Sequence, residues 1–198
     1  HKLNEELAKL KGRKIIYTNA NLQHANDVLV QLKLTDIFEN IFENVLDIGG
    51  ASGVFAYKIK EYSKNVTVLD LSEHGYFIED YGIKYNQIDF KEYMEENKYS
   101  FISANFVMEH LSDPFELIIK INELIKQKGI YYIEVPSSRS FDKLDREHDT
   151  FNSTHKFIFN EIKLGEIFSK YGLKIDHIDK GRNIRGYYFL GIYGQLMS

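Results

Sequence analysis

The sequence has no cysteine and no tryptophan, and only two of its 198 residues are proline. Without cysteine, disulfide bonds and thiol chemistry are excluded. No apolar run approaches the roughly 20 residues that a membrane-spanning helix needs. No signal peptide is visible, and the chain begins at His1, which indicates a truncated or tagged start. These absences predict a cytoplasmic protein with no membrane partner.

The chain also lacks an excess of positive charge. It carries 25 basic and 29 acidic residues, for a net charge of −4. A nucleic-acid partner is therefore not expected, since such proteins present clustered basic charge. Hydrophobic residues make up 43% of the chain and charged residues 27%, as in ordinary globular proteins. The length suits one domain, which we predict over residues 1–198.

The most informative stretch is residues 44–53, Asn-Val-Leu-Asp-Ile-Gly-Gly-Ala-Ser-Gly. It reads as a buried strand, a glycine turn and then the start of a helix, the first unit of a nucleotide-binding α/β sheet. The dinucleotide fingerprint fails, because Ile48 stands where its first glycine should be. No Lys-Ser/Thr pair follows the turn, so a P-loop is excluded. The alternative is a plain tight turn between a strand and a helix.

A second acidic position follows at Asp70, which ends the next predicted strand, 21 residues beyond Gly49 (70 − 49). An acid about 20 residues after the glycines is placed to accept hydrogen bonds from a pair of ribose hydroxyls. The alternative is that Asp70 or Ser72 caps a helix.

Residues 107–114, Val-Met-Glu-His-Leu-Ser-Asp-Pro, follow the fourth predicted strand. Asp113 is predicted to cap a helix, with Pro114 at its first position and Glu116 completing the capping pattern. An apolar stripe that includes Ile125 continues this helix, and residues 126–129 are predicted to close it.

Together, the Asp47-x-Gly49-x-Ala51-x-Gly53 run and the Glu109-His110-Leu111 turn before Asp113-Pro114 resemble the motifs of class I S-adenosylmethionine-dependent methyltransferases, in their small-molecule branch. The family usually has glycine where Ala51 stands. The resemblance covers roughly residues 44–195. It implies S-adenosylmethionine as cofactor. The implied cofactor-binding residues are Asp47, Gly49, Gly50, Ala51, Gly53, Asp70, Leu71, Asp89, Phe90, Asn105 and Phe106. For Asp89, the alternative is a helix cap.

The resemblance also implies the fold. We expect an α/β, Rossmann-like, seven-stranded and mostly parallel sheet with a C-terminal antiparallel hairpin and helices on both faces. The β-forming stretches that would supply it lie at 45–48, 65–70, 83–88, 99–106, 130–136, 173–178 and 186–193. Residues 1–43 show helical spacing and are predicted as N-terminal helices, ahead of a core over residues 44–195.

The irregular stretch 137–156 leaves the carboxyl end of the fifth strand, where ligands bind in open α/β sheets. It holds His148 and His155, which together with His110 are the candidate general bases. For each histidine, the alternative is an ordinary residue of a loop or helix end. For His110, a structural or cofactor-shell role in the Glu109-His110-Leu111 turn is a further alternative. A divalent metal on these histidines and the acids around them matches no fixed ligand spacing, so we expect no metal site. Three basic side chains of the loop could hold an acidic group of the acceptor, or could equally be solvated surface charges: Arg139, Lys143 and Arg146.

The sequence therefore predicts an enzyme that transfers a methyl group to a small molecule, with a sugar or sugar nucleotide as the first candidate. The alternative is a non-catalytic scaffold that binds S-adenosylmethionine and assists a partner protein. A methyltransferase that acts on the amino groups of nucleic-acid bases is disfavoured. Residues 105–108 read Asn-Phe-Val-Met and not an Asn/Asp-Pro-Pro-Tyr run. The sequence leaves the oligomeric state open.

Overall fold

The structure is a computed structural model that describes residues 42–73, 75–96, 98–183 and 186–197. The N-terminal helices predicted within residues 1–43 lie almost entirely outside the described residues. The division of the chain into N-terminal helices and a core therefore stays a prediction.

Seven strands form one sheet, in the order β3-β2-β1-β4-β5-β7-β6. Strands β1 to β5 pair in parallel, whereas β7 runs antiparallel to both β5 and β6. This sheet confirms the predicted Rossmann-like fold and its C-terminal antiparallel hairpin. The strands are β1 Phe42–Ile48, β2 Ser63–Asp70, β3 Lys84–Gln87, β4 Tyr99–Asn105, β5 Ile125–Pro136, β6 Leu173–Arg182 and β7 Tyr188–Leu196.

Helices fill most of the connections between strands. In the part of the chain that the structure describes, the α-helices are α1 Val54–Ile59, α2 Phe115–Leu124, α3 Ser140–Lys143 and α4 Glu161–Lys170. Short 3₁₀ helices lie at Lys60–Tyr62, Tyr76–Tyr81, Phe90–Glu92, Met108–His110 and Asp149–Phe151. Within the described ranges, no helix has the length and apolar character needed to cross a membrane.

The predicted start of α2 is close to the observed one, but its predicted end is wrong. Asp113 caps the helix as expected, because its carboxylate accepts a hydrogen bond from the Phe115 N–H at 2.9 Å. The helix ends at Leu124, and Ile125 already pairs with Tyr99 in the sheet. Ile125 is fully buried in the strand, and an apolar residue at a buried position does not by itself distinguish a helix from a strand.

Apolar side chains cover both faces of the sheet. Along β1, Leu46 and Ile48 belong to one buried cluster, whereas the intervening Val45 belongs to another. Successive residues of a strand point to opposite faces, so the two clusters lie on opposite sides of the sheet. A parallel sheet covered in this way leaves the carboxyl ends of its strands as the natural ligand edge.

Candidate active site

The turn between β1 and α1 requires unusual backbone angles. Gly49, Ala51 and Gly53 have φ angles of 69°, 46° and 72°. The Gly53 N–H donates to the Gly50 carbonyl at 2.7 Å, and the Tyr57 N–H donates to the Gly53 carbonyl at 2.8 Å. Glycine adopts positive φ at little cost, whereas alanine does so with strain. The glycine run therefore forms a tight turn that leads directly into the helix.

Side chains of the protein itself occupy the space beside two of these glycines. A Cβ atom on Gly49 would lie 2.4 Å from Cγ2 of Val107. A Cβ atom on Gly53 would lie 2.4 Å from Cδ1 of Ile78. Any larger residue at either position would have to displace a neighbouring side chain before it reached a ligand.

Asp47 is the buried acid of this turn, with 1% of its surface exposed. Its Oδ1 accepts a hydrogen bond from the Ser103 hydroxyl at 2.7 Å. Its Oδ2 has no hydrogen-bond partner within the described residues. A Cβ atom on Gly50 would lie 2.7 Å from this oxygen, so the absence of a side chain at Gly50 keeps Oδ2 clear.

The environment of Asp47 raises the pKa of its carboxyl group from 3.8 to about 7. Burial is the main cause, because an ion is poorly solvated there. The Ser103 hydrogen bond opposes the shift, and the charge of Asp70 adds to it. A cationic donor placed at Oδ2 would favour the ionised form.

Asp70, at the end of β2, accepts hydrogen bonds on both carboxylate oxygens. Its Oδ2 accepts from the Ala51 N–H at 2.8 Å, and its Oδ1 accepts from the N–H and the hydroxyl of Ser72 at 2.8 and 2.7 Å. The acid therefore holds the strained Ala51 peptide in the glycine turn. The next residue, Leu71, leaves 70% of its surface exposed. The ribose contact expected of Asp70 stays a prediction.

Asp89 behaves as a cap within the protein. Its side chain accepts a hydrogen bond from the Lys91 N–H at 3.0 Å, at the start of the 3₁₀ helix Phe90–Glu92. The Lys91 ammonium lies 3.7 Å from the same carboxylate. The Phe90 side chain is buried in the larger apolar cluster. The cofactor contacts expected of these two residues stay predictions.

Asn105 and Phe106 lie where β4 ends, at the same edge of the sheet as the glycine turn. Phe106 has a φ angle of 54°, and its N–H donates to the Glu134 carbonyl at 2.8 Å. Its ring centroid lies 6.2 Å from that of Tyr187. Both Asn105 and Phe106 are half-buried, so each leaves surface for a ligand at this edge.

The structure brings together two of the three candidate histidines. The ring centroids of His110 and His155 lie 4.8 Å apart, in an edge-on arrangement. Burial is the main cause that holds the pKa of His155 below its ordinary value, and the Thr150 carbonyl opposes the shift. His148 packs instead against Tyr187, with centroids 5.2 Å apart.

Hydrogen bonds to the backbone decide which ring nitrogen of each histidine carries the proton. Nδ1 of His110 lies 3.0 Å from the Thr154 carbonyl, and Nδ1 of His155 lies 2.9 Å from the Thr150 carbonyl. A carbonyl can only accept, so both Nδ1 atoms carry hydrogen and both neutral rings keep a lone pair on Nε2. Nδ1 of His148 instead accepts from the Thr150 N–H at 3.1 Å. Neutral His148 therefore carries its hydrogen on Nε2 and is the weaker candidate base.

Sequence reasoning did not assign a role to Glu109, which lies beside this histidine pair. Its side chain is fully buried, and neither carboxylate oxygen has a hydrogen-bond partner within the described residues. Burial raises the pKa of Glu109 to about 8; the residue's own backbone opposes the shift, and the charge of Glu134 adds to it. Glu109, His110 and His155 each offer a potential metal-ligand atom, and these atoms all lie within 4.8 Å of one another.

A pocket of about 240 Å³ opens near the carboxyl end of β5. Arg139, from the predicted acceptor loop, contributes to its lining, and Lys180 of β6 contributes a second basic side chain. The Arg139 guanidinium also lies over the Tyr188 ring, 5.6 Å from its centroid. The remaining lining residues are Ser137, Ser138, Asn160, Glu161 and Leu190.

Solved structures share this fold at low sequence identity. An S-adenosylmethionine-dependent methyltransferase from Mesorhizobium loti superposes with a TM-score of 0.64, at 14% identity over 79% of this chain and 92% of that one. The 1,6-didemethyltoxoflavin-N1-methyltransferase of Burkholderia thailandensis, solved with 1,6-didemethyltoxoflavin and S-adenosylhomocysteine, gives 0.65, at 16% identity over 89% and 78%. The N-methyltransferase NodS of Bradyrhizobium japonicum gives 0.61, at 16% identity over 89% and 96%.

No curated protein matches the chain significantly in sequence. A family model described as a methyltransferase domain, however, matches residues 7–178, which is most of the chain. Family and fold together confirm the predicted class I S-adenosylmethionine-dependent methyltransferase. The chain belongs to the methyltransferase domain family.

Proposed function

We propose that this enzyme transfers the methyl group of S-adenosylmethionine to a hydroxyl or amine of a small molecule. The observation that carries the proposal is the unpartnered Oδ2 of buried Asp47, kept clear by Gly50 at the turn between β1 and α1. When bound, S-adenosylmethionine supplies an electrophilic methyl group on a sulfonium. Oδ2 of Asp47 would then hold the cofactor's amino group by accepting a hydrogen bond from it, because a cation offsets the cost of ionising a buried carboxyl.

The protein's contribution to the reaction is mainly positional. Holding a nucleophile close to the methyl group and in line with it supplies roughly 7–11 kcal/mol of the barrier. The loop after β5 lies at the ligand edge and connects to the turn after β4, because the Lys156 N–H donates to the Glu109 carbonyl at 2.8 Å. We assign the acceptor to this side of the site, with His110, His148 and His155 around it.

The acceptor is proposed to carry an acidic group, as a sugar nucleotide does. Arg139 and Lys180 support this proposal, because they line one pocket near the start of the loop. The Arg139 side chain is exposed, and its fork of donors suits phosphate oxygens. Lys180 is already paired with Glu161, so Arg139 is the stronger candidate.

The test is a transfer assay with S-adenosylmethionine labelled on its methyl group and pools of sugar nucleotides, sugar phosphates and small amines. We expect label in one pool, and Arg139→Gln should raise KM for an acidic acceptor while S-adenosylhomocysteine affinity stays unchanged. Transfer into uncharged acceptors alone would contradict the acidic group. Cofactor binding without transfer into any pool would favour the non-catalytic scaffold. This chain is also similar, at 16% identity, to a structure of a Haloferax volcanii methyltransferase in complex with the activator Trm112. The assay should therefore be repeated with a candidate activator protein added.

A further inference from the structure

The cluster of Glu109, His110 and His155 joins two segments that are distant in sequence. The first two residues belong to the 3₁₀ helix Met108–His110 after β4, and His155 belongs to the loop after β5. Two hydrogen bonds fix the segments to each other: the Glu109 carbonyl accepts from the Lys156 N–H, and His110 donates to the Thr154 carbonyl. Backbone hydrogen bonds between the 3₁₀ helix and the loop therefore hold the cluster together.

The environment of the Glu109 carboxyl indicates that a ligand binds there. It is fully buried, yet neither Oε1 nor Oε2 has a hydrogen-bond partner among the residues that the structure describes. A buried carboxyl without partners destabilises the folded protein unless another group compensates for its lost hydration. A cation bound between Glu109 and the two imidazoles would provide that compensation.

The two histidines are already arranged as metal-binding histidines are. In such sites one ring nitrogen binds the ion, and the other donates its hydrogen to a backbone carbonyl or a carboxylate. His110 and His155 both donate from Nδ1 to backbone carbonyls. Their Nε2 lone pairs have no hydrogen-bond partner in the described part of the chain. These hydrogen bonds orient the rings and fix the tautomer that a metal requires.

We propose that Glu109, His110 and His155 form a binding site for a divalent first-row transition ion such as Zn²⁺. Two imidazoles and one carboxylate suit such ions, whereas Mg²⁺ and Ca²⁺ prefer oxygen ligands alone. Three protein ligands leave at least one coordination position open, as in catalytic metal sites. The open position would take an oxygen of the methyl acceptor; this part of the proposal rests on the proposed function.

The test is calorimetric titration of the chelator-treated full chain with zinc chloride, and separately with magnesium chloride. We expect one zinc ion per chain, bound at least about tenfold more tightly than magnesium. Glu109→Gln and His155→Gln should each weaken zinc binding by at least about tenfold, since even outer-shell changes at metal sites cost about tenfold to hundredfold. His110→Gln removes the imidazole ligand of an exposed residue, so the variant should fold. It therefore tests the site even if the substitution at buried Glu109 unfolds the protein.

The matched control is His177→Gln. His177 is exposed on β6, where its Nε2 lies 2.8 Å from Oδ1 of Asp179, so it is a surface histidine beside an acid. Zinc affinity should be unchanged in this variant. The absence of zinc binding to the wild type, or equal affinity in all four variants, would overturn the proposal. S-adenosylhomocysteine binding and methyl transfer, measured with and without chelator, report separately on the proposed function.

Discussion

Replacing Asp47 with asparagine should change how the stability of the protein depends on pH. In the folded protein the pKa of this carboxyl is raised to about 7, against 3.8 for an exposed aspartate. Between those two values the folded state keeps a proton that the unfolded state has lost. The free energy of unfolding must therefore fall as the pH rises through this window, by at most about 1.4 kcal/mol per pH unit.

Over a range from about pH 5 to about pH 8, this single group should cost the wild type on the order of 3 kcal/mol of stability. Asp47→Asn cannot titrate, so its stability should lack that decline. The variant also places an amide nitrogen where Oδ2 had no partner, which costs about 1–3 kcal/mol at every pH. Because this cost is independent of pH, the comparison uses the slope of stability against pH and not its absolute value.

The assay is urea unfolding of both proteins at several pH values across that range. Other titrating groups, including Glu109 with its raised pKa, are present in both proteins and cancel in the difference. Equal slopes would show that Asp47 titrates normally in the folded protein, which would contradict the buried, unsolvated carboxyl. S-adenosylhomocysteine should bind the asparagine variant more weakly above about pH 7, where the wild-type carboxyl is largely ionised.

Two further substitutions test the glycine turn and the acid beside it. Gly50→Ala should weaken S-adenosylhomocysteine binding by at least about tenfold, because the added Cβ would lie 2.7 Å from Oδ2 of Asp47. Calorimetric titration measures the affinity. Its control is Gly165→Ala, in α4, where a Cβ meets nothing within 4 Å, so affinity should be unchanged. Asp70→Ala should weaken the same ligand by about tenfold to hundredfold, as expected for lost hydrogen bonds to a charged group. Unchanged affinity in a folded variant would leave Asp70 only its hydrogen bonds within the protein, to Ala51 and Ser72.

Much of the fold could be predicted because its signals are local. The first five strands are short β-forming runs separated by turn residues, and that alternation with helical patterns is typical of a parallel sheet. The glycine turn was also predictable, because positive φ angles at Gly49 and Gly53 demand glycine. The boundary at Leu124–Ile125 was not, since an apolar residue that ends a helix looks the same as one that begins a buried strand.

The candidate site was less predictable because its key contacts join distant parts of the chain. Ser103 donates to Asp47 across neighbouring strands, 56 residues apart in sequence. The space beside Gly53 is filled by Ile78, which lies beyond β2 and far from the glycine turn in sequence. Glu109 gave no local signal of burial, because a glutamate beside a histidine in a turn is more often exposed to solvent.

The three candidate histidines show most clearly what the sequence could not supply. In the sequence, His110 stands apart as part of the Glu-His-Leu turn after the fourth strand, whereas His148 and His155 lie in the same loop after the fifth strand and cannot be told apart. In the structure, Thr150 donates its N–H to Nδ1 of His148 and accepts at its carbonyl from Nδ1 of His155. One residue therefore fixes opposite tautomers in these two imidazoles. Nε2 of His148 carries a hydrogen, whereas Nε2 of His155 keeps a lone pair. A hydrogen-bond donor such as His148 can position the molecule that receives the methyl group. A lone pair such as that of His155 can take a proton from that molecule or bind a cation. The division of roles between these histidines thus follows from the two hydrogen-bonding groups of the Thr150 backbone.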